Sequence, residues 1–168
     1  MHIGSFRAAI GGAFTALVDG PASAAPRPVP ALPGVALHLH GETEAAAIDL
    51  LFLGEVLPAG VRPVADLFRG NPAAGEWVAI VSRKGDPRMP EPFFSMAGQV
   101  RVSSISGERL SGTFALEARA GTPLPGHEDP WISVAGDFTA RPMVSELPMF
   151  AGALTWEWDF TDIAEGVD

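Results

Sequence analysis

The chain has 168 residues, 47% of them hydrophobic, a composition typical of a single globular domain with one core. Its formal net charge is −9, which argues against nucleic-acid and anionic-membrane partners because an acidic surface repels phosphate groups. Cysteine is absent, and this excludes disulfides and thiol catalysis. Tyrosine is absent too, whereas Ala, Gly, Pro and Arg are plentiful, a usage typical of a GC-rich bacterial genome.

The first 25 residues allow two interpretations. Arg7, the apolar run after it and the small residues 21–25 resemble a secretory signal, which would imply a secreted or periplasmic protein. Asp19 and the glycines inside the apolar run instead favour a strand, and we expect the strand, which slightly favours a cytoplasmic location. No apolar stretch approaches the roughly 20 residues that a membrane-spanning helix needs.

The first half of the chain predicts short strands separated by Gly and Pro. We expect a first strand over Phe6–Val18, bulged at its two glycines and entering a turn at Asp19-Gly20. Residues Asp19–Gly34 contain five prolines and predict an extended connection. In Val35–Gly41 apolar and polar residues alternate, so this segment predicts a strand with two histidines on one face.

Three further strands are expected before the middle of the chain. Ala45–Leu53 is strongly apolar and predicts a buried strand, although its alanines also suit a short helix. Val61–Phe68 carries Pro63 and predicts an irregular edge strand. Trp77–Ser82 predicts a regular strand.

The stretch from Gln99 to Arg141 carries the strongest signal, because it contains three alternating runs bounded by turn residues. These runs predict an antiparallel meander of strands Ala97–Ile105, Leu110–Ala118 and Trp131–Arg141. The side chains predicted to share one core are Val100, Val102, Phe114, Leu116, Ile132, Val134 and Phe138.

The tail predicts a last strand within Leu147–Phe160. Large side chains alternate there with polar ones, and residues 161–168 are acidic and expected to fray. In total we expect eight or nine strands, no long helix and one domain over residues 1–168. The predicted class is all-β, either an antiparallel β-barrel or a β-sandwich.

Four short segments resemble an uncharacterised group of bacterial β-domains described as lipocalin-like or calycin-like. Residues 104–118 (SISGERLSGTFALEA) and 132–140 (ISVAGDFTA) are similar to that group's paired strands. Residues 12–20 (GAFTALVDG) look like its opening strand, and residues 57–64 (LPAGVRPV) look like its edge segment. The resemblance implies a calycin-like barrel and assigns no catalytic residue.

His38, His40 and Glu42 have a spacing that places three potential metal ligands on one strand face. Zinc or iron sites in β-barrels use such imidazole pairs with a carboxylate. The alternative is an ordinary solvent-facing surface, with Leu37 and Leu39 packed inside. We expect the solvent face, no structural metal and no cofactor.

Aromatic residues are the candidate ligand-binding side chains. They can line a cavity or simply fill the core, because an eight-stranded barrel has room for side chains or for one small ligand. The aromatic residues considered are Trp77, Trp131, Trp156, Trp158 and Phe160. We expect the tail strand, with Leu154 beside the last three, to help hold an apolar molecule.

His127, Glu128 and Asp129 suggest acid–base chemistry, but acidic loop clusters are usually solvated and no nucleophile motif accompanies them. Three functions follow. The first is a non-catalytic β-barrel that binds an apolar small molecule. The second is a structural or interaction module, in a homo-oligomer or with another protein. The third is a small barrel cyclase or isomerase whose catalytic residues the sequence does not reveal.

Overall fold

A computed structural model describes the chain over residues 4–25, 35–54, 57–84, 92–105, 109–121 and 130–140. The secondary structure of these residues consists of β-strands, without a helix. The strands are β1 (Gly4–Gly12), β2 (Ala16–Ala25), β3 (Val35–Glu42), β4 (Ala46–Leu53), β5 (Gly60–Pro63), β6 (Trp77–Arg83), β7 (Pro92–Ile105), β8 (Leu110–Ala120) and β9 (Trp131–Ala140). A search of the same residues found no helix with the length and apolarity needed to cross a bilayer.

Eight of the strands close into an antiparallel barrel. Around the ring the order is β7, β6, β4, β3, β2, β1, β9 and β8, and β8 pairs again with β7. β5 is an extra strand beside β7: it pairs with Gln99–Val102, whereas β6 pairs with Pro92–Phe94. The predicted all-β class is therefore confirmed, and the structure is the barrel rather than the sandwich.

The meander predicted from the sequence forms β7, β8 and β9. β7 and β8 run further than predicted, since β7 begins at Pro92 and β8 ends at Ala120. The predicted core is confirmed, because all seven side chains belong to one buried cluster inside the barrel: Val100, Val102, Phe114, Leu116, Ile132, Val134 and Phe138.

Aromatic rings occupy much of the barrel interior. The ring of Phe114 lies between those of Phe6 and Phe138, at centroid distances of 5.4 and 6.5 Å. Phe52 packs against Trp77 at 5.3 Å. Every buried side chain of this cluster is at most 7% exposed, so the described interior residues pack against one another rather than line an open cavity.

At Gly112, β8 packs closely against its neighbours. A Cβ atom at Gly112 would stand 2.2 Å from the carbonyl oxygen of Arg101 and 2.7 Å from Cζ of Phe138. A side chain does not fit there, so glycine lets β8 approach β7 and the ring of Phe138 closely.

The N-terminal prediction of one long strand is wrong, because Phe6–Val18 folds into a hairpin. Gly12 has a φ of 110°, a conformation that glycine adopts without steric cost, and the chain reverses over residues 13–15. The expected turn at Asp19-Gly20 instead lies inside β2, where Asp19 pairs with Arg7. Phe14, at the turn, packs against Phe93 with ring centroids 5.5 Å apart.

A second apolar layer lies outside one side of the barrel. Val64, directly after β5, belongs to the interior cluster. Residues 65–68, which we call the cover segment, follow it and pack on outward side chains of β4, β6 and β7: Leu51, Leu53, Val78, Ile80 and Phe94. Ser95 ties the segment to the wall, since its hydroxyl donates to the Ala65 carbonyl (3.0 Å) and accepts from the Ala79 amide (3.1 Å). Ala46–Leu53 is thus a buried strand and Trp77–Arg83 is a strand, as predicted for Ala45–Leu53 and Trp77–Ser82. Of the predicted edge strand Val61–Phe68, only Val61–Pro63 belongs to a strand, β5.

Candidate functional site

The most unusual polar feature of the barrel is a cluster formed by His38, His40 and Asp49. β3 alternates, so Leu37 and Leu39 point into the core while the two histidines point outward. Asp49 is on the outer face of β4, directly opposite His40 in the antiparallel register. The strand pairing therefore brings a carboxylate between two imidazoles that are two residues apart.

One carboxylate oxygen joins the two rings. His38 Nε2 and His40 Nδ1 each donate to Asp49 Oδ1 at 2.7 Å. His38 and Asp49 are only 7% and 5% exposed, whereas the His40 side chain is 30% exposed. The cluster is thus buried in the barrel wall and reaches solvent on the side of His40.

Two further charged groups extend the cluster toward solvent. Glu42 Oε1 lies 3.5 Å from His40 Nε2, so the His40 ring stands between two carboxylates. The Lys84 ammonium group forms an ion pair with the other oxygen of Glu42. The charges alternate along this path from the buried Asp49 to the exposed Lys84.

The pKa values of the cluster reflect these contacts. The hydrogen bond to Asp49 raises the pKa of His40, and this effect exceeds the opposing effect of burial. Burial by itself would raise the pKa of Asp49, but the hydrogen bonds from His38 and His40 together lower it below its ordinary value. The hydrogen bond from Lys84 lowers the pKa of Glu42. Asp49 therefore stays ionised, although it is almost fully buried.

The expectation of an ordinary solvent face is wrong for His38, which is buried. Glu42 was expected as the third group of the strand face, but the group closest to both rings is Asp49. The sequence carries one signal for it: Asp49 is the only charged residue in the apolar run Ala45–Leu53. A charge in a buried strand needs a partner, yet only the strand pairing reveals which one.

The aromatic candidates lie in different places. Trp77 is fully buried inside the barrel, whereas Trp131 lies on the outer face of β9 and is 50% exposed. The two therefore do not share an interior wall. Trp156, Trp158 and Phe160 lie outside the described residues, as does the acidic loop His127–Asp129.

Trp77 carries an unusual polar atom. Its indole Nε1 is buried and has no hydrogen-bond partner among the described residues. A buried donor without a partner costs about 1–3 kcal/mol. The Trp77 ring packs tilted against the Phe52 ring, and this large aromatic contact offsets the cost of the unpaired donor.

A groove crosses the outer wall on the side formed by β1, β9, β8 and β7. Small outward side chains in register make it: Ala135 pairs with Ala9 on one side and with Ala115 on the other. Gly11, Ser133 and Ala97 continue the lining, and Glu117 is the only charged residue among the described residues that line it. The open volume is about 720 Å³. No local sequence pattern predicts this groove, because its small exposed residues lie on separate strands.

A shallower depression of about 380 Å³ continues from the groove toward β2. Arg7 and Asp19 line it and approach each other to 4.0 Å at the surface. Leu17, also in its lining, is 73% exposed. The outer wall on this side is therefore concave and partly apolar, in contrast to the side under the cover segment.

Three comparisons with known proteins gave no match: no family model, no curated protein and no solved structure is significantly similar to this chain.

Proposed function

We propose that the protein is a non-catalytic β-barrel that binds an apolar small molecule, and that the outer-wall groove is the binding site. The carrying observation is the groove itself, a concavity of about 720 Å³ lined mainly by alanine and glycine residues. Small-molecule sites have about 300–1,000 Å³ and a mostly apolar lining with a few polar groups. The interior is the less suitable place, because its described side chains are packed.

The polar groups of the groove suggest which apolar molecules fit. Glu117 contributes a carboxylate and Ser133 a hydroxyl, both from exposed positions. A carboxylate accepts hydrogen bonds and repels other anions. The net charge of −9 acts in the same direction over a longer range. The groove therefore suits a neutral or amine-bearing apolar molecule better than a fatty-acid anion.

The experiment is a titration with a neutral apolar dye such as Nile red. The test variant is Ala135→Leu, which fills the centre of the groove from an exposed position. Thr113→Leu is the matched control, since Thr113 is exposed on the neighbouring β8 and does not line the groove. We expect Ala135→Leu to weaken dye binding by about tenfold or more, equivalent to about 1.4 kcal/mol. The control should bind like the wild type.

Either of two results would contradict this proposal. One is the absence of dye binding to the wild type. The other is equal binding by wild type and Ala135→Leu, which would place any apolar site elsewhere. An anionic fatty-acid probe provides a second comparison, and we expect it to bind more weakly than the neutral dye.

An interaction module is the second candidate function. Leu17 and Trp131 are exposed on the same side of the barrel as the groove, Trp131 two residues from Ser133 on β9. Exposed large apolar side chains beside a concave surface are typical of protein contacts. Sedimentation over a range of protein concentrations tests self-association.

The cyclase or isomerase alternative needs an interior cavity, which the packed core does not supply among the described residues.

A further inference from the structure

We infer that His38, His40 and Asp49 form a binding site for a divalent transition-metal ion such as zinc. This site lies on β3 and β4, away from the groove on β1, β9 and β8, and does not depend on the proposed function. The strand pattern predicts no metal, because it places both histidines on a solvated face. The burial of His38 and Asp49 removes that reason.

The three ligand atoms are close enough for one ion. Ligand atoms of His38, His40 and Asp49, one from each residue, lie within 4.8 Å of one another. With metal–ligand bonds of about 2.0–2.2 Å, neighbouring ligand atoms around zinc stand roughly 3.0–3.5 Å apart. Each ring nitrogen is now 2.7 Å from the carboxylate oxygen. An ion therefore fits between them after side-chain shifts of less than about 1 Å, once the protons on these two nitrogens have been released or have moved to the other ring nitrogen.

The donor set specifies the class of ion. Two imidazoles and one carboxylate suit zinc and ferrous iron, whereas calcium and magnesium prefer oxygen ligands throughout. Three protein ligands leave at least one coordination position for water or a small anion. His40 is the most exposed of the three side chains, so that position is reached from its side.

The backbone holds these ligands in place before an ion binds. His40 and Asp49 are paired across β3 and β4, and His38 is the next outward residue on β3. Both strands are part of the closed barrel wall, where β3 also pairs with β2 and β4 also pairs with β6. Ligands on paired strands lose little further freedom on binding, and this preorganisation favours affinity.

Glu42 supplies a second observation that points to a metal. In metal sites the ring nitrogen that does not bind the ion almost always donates to a carboxylate or carbonyl group, which fixes the ring. His40 has this arrangement, with Nδ1 facing Asp49 and Nε2 lying 3.5 Å from Glu42. Glu42 is therefore assigned as a positioning residue rather than as the third ligand of the sequence motif.

The test is calorimetric titration of zinc into tag-free protein freed of metal with a chelator. We expect one zinc ion per chain. His40→Gln and Asp49→Asn should weaken binding more than about tenfold, and Glu42→Gln by about 10–100-fold, since it orients His40. Asp19→Asn is the matched control, because it removes an exposed carboxylate outside the cluster, and it should bind zinc like the wild type.

Cobalt titration of the wild type tests the site by absorption spectroscopy without any substitution. A cobalt ion held by these ligands should show the visible absorption bands of a low-coordinate site, and zinc should displace them. If Asp49→Asn fails to fold by circular dichroism, the surface variant Glu42→Gln and the cobalt spectrum decide. Three results would each overturn the site: no zinc or cobalt binding at millimolar metal, binding unchanged in folded His40→Gln, or binding lost in Asp19→Asn.

Discussion

Asp49 shows how a buried charge is accommodated in this barrel. It is the only charged residue of β4, and the outward side chains Leu51 and Leu53 that follow it lie under the cover segment. A buried carboxylate is costly unless it is paired and hydrogen bonded, and here two imidazoles meet one of its oxygens. The same contacts that satisfy the carboxylate create the candidate metal site.

The raised pKa of His40 predicts how the stability of metal-free protein changes with pH. An imidazole whose pKa is above 6.5 when folded contributes its full stabilisation below pH 6.5 and loses it as the pH rises through the folded value. Asp49 acts at the acid end, where its stabilisation is lost as the pH falls below 3.8 through its lowered pKa. From this cluster we therefore expect the highest stability between these two limits.

The measurement is urea unfolding of chelator-treated protein from pH 5 to 9. The free energy of unfolding of the wild type should fall more steeply above pH 6.5 than that of His40→Gln. Glutamine keeps an amide donor for Asp49 but does not titrate in this range. Parallel curves for the two proteins would mean that His40 does not couple protonation to folding.

At the scale of elements, the two sides of the barrel wall differ because the cover segment buries only one of them. Leu67, which belongs to this segment, is fully buried against β4 and β6. We expect Leu67→Ala to lower the free energy of unfolding by about 2–5 kcal/mol, because it leaves a cavity and uncovers apolar wall. Urea unfolding measures this loss.

Val61→Ala is the control for that change. Val61 lies on β5, just before the cover segment, and is exposed, so its truncation should change stability by less than about 0.5 kcal/mol. Equal effects of the two substitutions would show that the cover segment does not stabilise the barrel.

The strands that the sequence predicted best are those with one solvated face. Alternation in β8 and β9 identifies inward residues such as Phe114 and Phe138 without knowledge of any partner strand. β4 and β6 are apolar on both faces because the cover segment buries the outer one, so their patterns do not show which side is the core. The N-terminal hairpin was missed because two glycine-containing segments compete as turns, and only Gly12 reverses the chain.

The candidate sites were harder to predict because they depend on which strands are neighbours. His38 and Asp49 are 11 residues apart, and the antiparallel β3–β4 pairing brings them together. The groove depends on two strand pairings, since Ala9, Ala115 and Ala135 come together only when β1 and β8 both pair with β9 in the barrel. Local patterns predict faces of strands, whereas these sites are made by contacts between strands.

At the scale of the whole molecule, the proposed apolar ligand has two alternative locations, inside the barrel or on its outer wall. The interior aromatic rings give a direct test, because Phe114 lies at the centre of the core between Phe6 and Phe138. In a packed barrel, Phe114→Ala should lower the free energy of unfolding by about 3–5 kcal/mol. Thr113→Ala, the exposed neighbour on β8, is the control and should change it by less than about 0.5 kcal/mol.

Dye binding by Phe114→Ala then distinguishes the two locations. If the groove holds the ligand, the folded variant should bind Nile red at the groove like the wild type, because Ala9, Ala115 and Ala135 are unchanged. Any added binding should come from the new internal cavity and persist when Ala135→Leu is combined with it. If Phe114→Ala instead keeps its stability and loses dye binding, the wild-type ligand lies inside the barrel, and the outer-wall groove is not the site.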